Sequence, residues 1–263
     1  MKYQFCAESD KGIKKDKNED SVLVKEALHH GTPVLMAAVC DGMGGLQDGE
    51  VASCMLVNRL DKWFEQELPK LISFTEEKGL NLEKALKYAL VMLIRKANEE
   101  IQNYTNVHKL KGCGTTVVVL ILYNGRYYGL NVGDSRIYVF RNHLYQLSTD
   151  QTVVQRMVDL GQISEKQAET HPDRSRLLQC VGMNRKVIPE YLRGECFQND
   201  LFLLCSDGLR HKIGKKELEN VFRIERPKTP EQLSDAAQYL ISENMRRKET
   251  DNLSCVLIRA RRS

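Results

Sequence analysis

Short apolar or β-branched runs recur along the chain, at Tyr3–Glu8, Ser21–Lys25, Pro33–Cys40, Thr115–Tyr123, Tyr127–Val132, Arg136–Phe140, Leu144–Leu147, Leu201–Cys205 and Leu253–Ile258. Several are joined by turns as short as Tyr123-Asn124-Gly125-Arg126 and Arg141-Asn142-His143. Connections that short link antiparallel neighbours, because a parallel pair needs a long crossover. A helical period takes over from Gly49 to Leu68, from Leu82 to Tyr104 and from Pro230 to Met245. In the second of these, Leu82, Leu86, Leu90, Leu93, Ala97 and Ile101 fall on one stripe; in the third, Leu233, Ala236, Ala237, Leu240 and Ile241 do the same. Such stripes are core faces and carry no functional information. Clustered strands interrupted by helices predict an α+β fold with mainly antiparallel sheet.

No internal repeat, low-complexity tract or Pro- or Ser-rich linker divides the 263 residues, so one domain spanning 1–263 is expected. The polar stretch 161–189 has only a weak period. It reads equally as a mobile insertion beside a site or as an ordinary surface excursion. The net charge of +4 is too small and too scattered to predict a nucleic-acid partner. The N-terminal segment lacks an apolar signal region, and the longest apolar runs, such as Val117–Tyr123, are too short to span a bilayer. A cytoplasmic protein with no membrane partner is therefore expected, as a monomer. None of the eight cysteines forms a C-x-x-C pair, and most lie in apolar runs, so they read as buried reduced thiols.

The informative residues are carboxylates at the ends of apolar runs. Pro33–Cys40 runs into Asp41-Gly42-Met43-Gly44-Gly45, Leu201–Cys205 into Ser206-Asp207-Gly208, and Tyr127–Val132 into Gly133-Asp134-Ser135-Arg136. Asp251-Asn252 precedes Leu253–Ile258, and Asn18-Glu19-Asp20 precedes Ser21. A strand end holds a side chain accurately, and glycine after the carboxylate lets backbone approach a ligand closely. Carboxylates without histidine partners suit hard divalent cations such as Mg²⁺ and Mn²⁺ better than zinc. Any one such Asp-Gly could equally be a simple turn. The residues alone do not identify a reaction.

Taken in order, the blocks Asn18-Glu19-Asp20-Ser21, Asp41-Gly42-Met43-Gly44-Gly45, Gly49-Glu50-Val51-Ala52-Ser53, Gly112-Cys113-Gly114-Thr115-Thr116, Val132-Gly133-Asp134-Ser135-Arg136, Ser206-Asp207-Gly208-Leu209 and Asp251-Asn252 resemble the metal-dependent protein phosphatases of the 2C type, especially their bacterial branch. The resemblance implies two antiparallel β-sheets packed as a sandwich, with helices on both outer faces. It implies that Asp41 bridges two Mn²⁺ or Mg²⁺ ions, that the Gly42 carbonyl completes one site, and that Asp207 and Asp251 bind the other ion. Glu19 is expected to act through metal-bound water with Asp20 supporting it, and Asp134 with Asp207 to hold a third, weaker ion. The stretch 161–189 falls where the family has its flap. The implied reaction is hydrolysis of phosphoserine and phosphothreonine in proteins by in-line attack of a metal-activated water, without a covalent phosphoenzyme. The implied partners are phosphorylated proteins, including a Ser/Thr kinase and its substrates.

One position departs from the family pattern. Lys15 stands where members usually carry the arginine that grips substrate phosphate; it keeps the charge but lacks the planar two-pronged fork. Met43 replaces the histidine of many eukaryotic relatives, leaving the leaving-group proton without an assigned protein donor; His171 and His211 could approach the site but read more readily as ordinary surface or turn residues. A cysteine-dependent phosphatase is the competing enzyme class, on the Cys255 and Arg261 spacing, but Val256-Leu257-Ile258 reads as a buried strand rather than a phosphate loop. The competing non-enzyme class is a catalytically weak or inactive phosphatase-like binding module. A degenerate member should have lost Asp41, Asp207 or Asp251, and all are present.

Overall fold

A computed structural model describes residues 1–43 and 48–261; Gly44 and Gly45 of the glycine block lie outside the described residues. The chain opens with β1 (Lys2–Asp10), β2 (Asp20–His29) and β3 (Thr32–Asp41), followed by α1 (Gly49–Gln66), α2 (Leu68–Glu77) and α3 (Leu82–Val107). Next come β4 (Val117–Tyr123), β5 (Arg126–Val132), β6 (Arg136–Phe140) and β7 (Leu144–Gln146), then α4 (Val153–Asp159) and α5 (Glu165–Ala168). The last part holds β8 (Glu190–Glu195), β9 (Leu201–Cys205), α6 (Gly208–His211), α7 (Lys215–Glu225), α8 (Pro230–Arg246) and β10 (Leu253–Arg261). Two five-stranded sheets result, in the orders β1-β10-β9-β6-β7 and β2-β3-β4-β5-β8, and all their pairings are antiparallel.

The side-chain alternation of a strand explains the layers. Along β3, Leu35, Ala37 and Val39 join Val118 and Leu120 of β4 against Phe202, Leu204, Val256 and Ile258 of the other sheet. The intervening Met36, Ala38 and Cys40 face away, onto Leu56 and Leu60 of α1 and Leu90 and Ile94 of α3. On the opposite outer face, Leu203, Cys205, Cys255 and Leu257 meet Leu209, Phe222, Leu233 and Leu240 of α6, α7 and α8. The expected α+β sandwich with helices on both outer faces is therefore the observed one. Both faces of the central strands are covered, which is why they read as unbroken apolar runs rather than alternating ones.

The boundaries differ in instructive places. The helical pattern from Gly49 to Leu68 covers all of α1 and the first residue of α2, with Pro69 in the first turn of α2, where a missing N–H costs no bond. The edge strand β8 escapes the hydrophobic pattern because Glu190, Arg193 and Glu195 make half of it charged. Among the described residues, no helix is long and apolar enough to cross a membrane.

The pairing register sets the site. Asp20 and Asp41 face each other at the open end of the β2–β3 hairpin, whose closed end turns at His30 and Gly31, both with positive φ. On the other sheet, β9 and β10 pair from Cys205 and Cys255 onward, so Asp207 and Asp251 lie just beyond the paired ends. All these ends point the same way, at one mouth of the sandwich.

Candidate active site

A cavity of about 560 Å³ opens at that mouth. Asp41, Asp134, Asp207 and Asp251 line it together, with Gly42 and Met43 beside them. The far wall comes from the stretch 161–189: Ser175, Leu177 to Cys180, Met183 and Asn184 face the same cavity. That wall is tied down by backbone bridges from Leu177 to Thr152 and from Val181 to Thr115. Asn98 of α3 also accepts from Gly182 N at 2.7 Å and donates to Asn184 O at 3.1 Å.

Backbone contacts fix the carboxylates. The Asp41 carbonyl accepts from Thr116 N at 2.8 Å and Thr115 Oγ1 at 2.9 Å, and Gly42 N donates to Glu19 O at 3.1 Å. A Cβ on Gly42 would stand 2.4 Å from Gly49 O and 2.5 Å from Glu19 O, so only glycine permits this crossing of chains. Gly208 is equally constrained, since its Cβ would lie 2.1 Å from Asn252 O. Asn252 clamps the loop before β2: its Oδ1 accepts from Glu19 N at 3.0 Å, and its Nδ2 donates to Lys11 O and Lys17 O at 2.9 and 3.1 Å. Asp20 is buried; its Oδ2 accepts from Ser206 Oγ at 2.9 Å, while its Oδ1 has no hydrogen-bond partner.

Crowding of acids dominates the electrostatics. Burial, then the charges of Asp20, Asp207, Asp134 and Asp251, push the Asp41 carboxyl well above its usual range. Burial likewise pushes Asp20 and Asp134 up to about 7, with Asp207 adding to both. Asp207 moves the other way: burial opposes its ionisation, but the His211 ring holds its carboxyl well below the usual range. Lys15 stands at the rim, its Nζ 2.9 Å from Asp251 Oδ1 and 3.5 Å from Glu19 Oε2.

Of the two readings of His211, approach to the carboxylates is the observed one. Its Nε2 lies 3.1 Å from Asp207 Oδ2 and its Nδ1 3.5 Å from Glu249 Oε2. Burial pushes the imidazole down, but the two carboxylates outweigh it and raise it to about 10. His171 pairs only with Asp173, at 4.0 Å, and does not line the cavity. Behind Asp134, the Arg210 guanidinium donates to its carbonyl at 2.9 Å, and Arg136 holds Asp150 through two bonds of 2.7 Å. The helical offset of four between Asp207 and His211 was the one sequence signal for that contact.

The chemistry of this donor set fits hard divalent cations. The oxygens come from converging carboxylates that raise one another's proton affinity, and one buried carboxylate oxygen on Asp20 is orphaned. Another grouping, His29, His30 and Glu76, brings donor atoms within 4.8 Å at the closed end of the hairpin. Its two imidazoles lie 5° from parallel with centroids 4.4 Å apart, so one ion cannot sit in both ring planes. Cysteine chemistry has no footing: Cys255 is fully buried within β10, and burial pushes its thiol far up.

A family model described as Protein phosphatase 2C matches residues 13–256. The serine/threonine phosphatase stp of Listeria monocytogenes serotype 4b (strain F2365) is 33% identical over 253 residues, spanning 95% of this chain and 93% of that protein. The solved structure of serine/threonine phosphatase Stp1 from Staphylococcus aureus is similar with a TM-score of 0.85 at 26% identity, over 100% of this chain and 96% of that one. The catalytic domain of serine threonine protein phosphatase PstP, solved in complex with 2 manganese ions, is similar with a TM-score of 0.77 at 27% identity, over 99% of both chains.

Proposed function

The chain belongs to the protein phosphatase 2C family, and on that premise we propose that it is a Mn²⁺- or Mg²⁺-dependent phosphatase of phosphoserine and phosphothreonine in proteins. The observation that carries this reading is the convergence of Asp41, Asp134, Asp207 and Asp251 on one cavity from both sheets.

Asp41 would bridge two ions, the Gly42 carbonyl would complete one site, and Asp207 and Asp251 would hold the other. Asp134 with Asp207 would take a third, weaker ion. Bound there, divalent cations acidify a coordinated water and offset the charge that builds on phosphoryl oxygens. Glu19 would support the site from the rim through a bound water; burial raises its proton affinity and Lys15 lowers it. Asp20 braces the end of β9 through Ser206. Lys15 already pairs with Asp251 and Glu19, and its ammonium has a third N–H with which to reach a phosphate. Residues 161–189 form a flap over the same cavity within one phosphatase domain. The substrates are phosphorylated proteins in the cytoplasm, including a Ser/Thr kinase and its targets.

The test is hydrolysis of p-nitrophenyl phosphate and of a phosphothreonine peptide with added Mn²⁺. Activity should vanish with EDTA and in Asp41→Asn, and survive thiol alkylation. No turnover at saturating Mn²⁺ would refute the reading and favour a binding module.

A further inference from the structure

Glu249 and His211 have no role in the reading above, yet they connect two of its carboxylates. Glu249 is buried, at 4% exposure, and uses its two oxygens in opposite directions. Its Oε1 accepts from the backbone N–H of Thr250 at 2.7 Å and of Asp251 at 3.1 Å. Its Oε2 faces His211 Nδ1 at 3.5 Å and has no hydrogen-bond partner of its own. The other ring nitrogen, Nε2, meets Asp207 Oδ2 at 3.1 Å. A single line therefore runs from the Asp207 carboxylate through the imidazole and Glu249 to the backbone of Asp251. It spans from α6 to the loop before β10, beyond the backbone bond from Ser206 N to Ser254 O at 3.0 Å that ends the β9–β10 pairing.

We propose that Glu249 and His211 form a strut that orients the Asp207 carboxylate and sets its spacing from the Asp251 backbone, and so are positioning residues for divalent-cation binding. The inference rests on the proposed function, in which those two aspartates hold an ion. The physical argument concerns freedom of rotation. An aspartate at the end of a strand can swing about its side-chain torsions, and each wrong rotamer takes an oxygen away from the ion. The His211 contact restrains the Asp207 carboxylate at one oxygen before the ion arrives, and Glu249 fixes the backbone from which the Asp251 side chain projects; loss of such support at metal sites typically costs about 10–100-fold in affinity. The pair is mostly buried, so breaking it also costs folding free energy, which the melting of the metal-free proteins reads separately; His211 itself divides between two carboxylates. Glu249, by contrast, is committed: its only charged neighbour in an ion pair among the described residues is His211.

The experiment measures free Mn²⁺ by electron paramagnetic resonance during titration of the full chain, with no enzymatic readout. Three variants are compared with the parent: His211→Ala, Glu249→Gln and the double. Glu249→Gln keeps an oxygen for the two backbone N–H groups and removes only the charge that faces His211. Each single change should raise the Mn²⁺ Kd about tenfold or more. The double should be no worse than the poorer single, because either change breaks the same strut. Melting of the metal-free proteins provides the readout that a merely structural role would move. A drop in that melting temperature with Mn²⁺ Kd within about twofold of the parent in both singles overturns the proposal. Tighter Mn²⁺ binding in His211→Ala also overturns it, since the imidazole would then act only as a repelling charge. A parent chain that binds no Mn²⁺ removes the proposed function itself, an outcome read from the parent alone.

Discussion

Asn252 offers a sharp test of how the site is assembled, because one amide holds two separate parts of the molecule together. The side chain is 3% exposed and makes three hydrogen bonds, all to backbone of the loop before β2: from Glu19 N at 3.0 Å, to Lys11 O at 2.9 Å and to Lys17 O at 3.1 Å. Asn252→Ala removes all of them and leaves one donor and two acceptors to find water. At about 1 kcal/mol net for each bond, the loss of folding free energy should be about 3 kcal/mol. For a chain of this size that corresponds to a fall in Tm of about 6–12 °C. Urea unfolding followed by circular dichroism, in EDTA, measures it without any contribution from bound ions. The same loop carries Lys15 and Glu19, so kcat/KM on a phosphopeptide should fall as well. Asn252→Asp keeps the acceptor for Glu19 N, loses both donors and adds a charge beside the carboxylates; it should be at least as destabilising. A loss below about 1 kcal/mol for the alanine variant would mean that the loop frays on its own, and the clamp reasoning would be wrong.

The other predictions are of the same kind. Mn²⁺ at about a hundred times its Kd should stabilise the protein by about 2.7 kcal/mol, seen as a rise in melting temperature that EDTA reverses and Asp41→Asn abolishes. Gly42→Ala should cost about 1–3 kcal/mol by overpacking and strongly reduce turnover, since its Cβ meets two backbone oxygens within 2.5 Å; near-parental melting and activity would disprove the close crossing. Arg136→Ala leaves the buried Asp150 carboxylate without its two-pronged partner and should cost about 3 kcal/mol, the lower end for a broken buried pair, because Arg210 stands 3.5 Å from the same carboxylate. In the native state a thiol reagent should modify the exposed Cys54 quickly and Cys255 only on unfolding, with no loss of activity; rapid native labelling of Cys255 would contradict its place in β10.

What could be read in the sequence depended on which physical signal each residue left. Asp41, Asp134 and Asp207 stood out because each follows an apolar run, and a carboxylate there is either a turn or a ligand. Their convergence could not be read, because it depends on sheet order: β10 inserts between β1 and β9 and so brings Asp251 beside Asp207 across a long stretch of chain. His211 and Glu249 left almost no signal. Neither borders an apolar run, and an offset of four from Asp207 is shared by many pairs that never touch. Lys15 was visible as a departure, but its pairing with Asp251 was not, because that contact depends on the Asn252 clamp. The rank of the charged edge strand β8 was lost for the opposite reason, since solvent at a sheet edge tolerates the very residues that hide a strand.

The position of the site follows from the same costs. Both faces of the central strands are covered, by the second sheet on one side and by helices on the other, so a carboxylate in mid-strand would be desolvated with nothing to pair with. Strand ends are the one place where an acid can sit on rigid backbone and still reach water. Two sheets stacked with their strand ends in line bring such acids together at a single mouth. There the acids raise one another's proton affinity, and Asp20 keeps an orphaned oxygen. A fold that concentrates negative charge at its own mouth is stabilised by a cation more than by any rearrangement of its side chains. The charge balance at the mouth is incomplete in the same sense: Lys15, Arg210 and His211 stand on Asp251, Asp134 and Asp207, while no ion pair to Asp41 or Asp20 is found among the described residues. Those two face each other across the β2–β3 register, and of the two it is Asp41 that reaches the cavity, where a divalent ion would offset its charge.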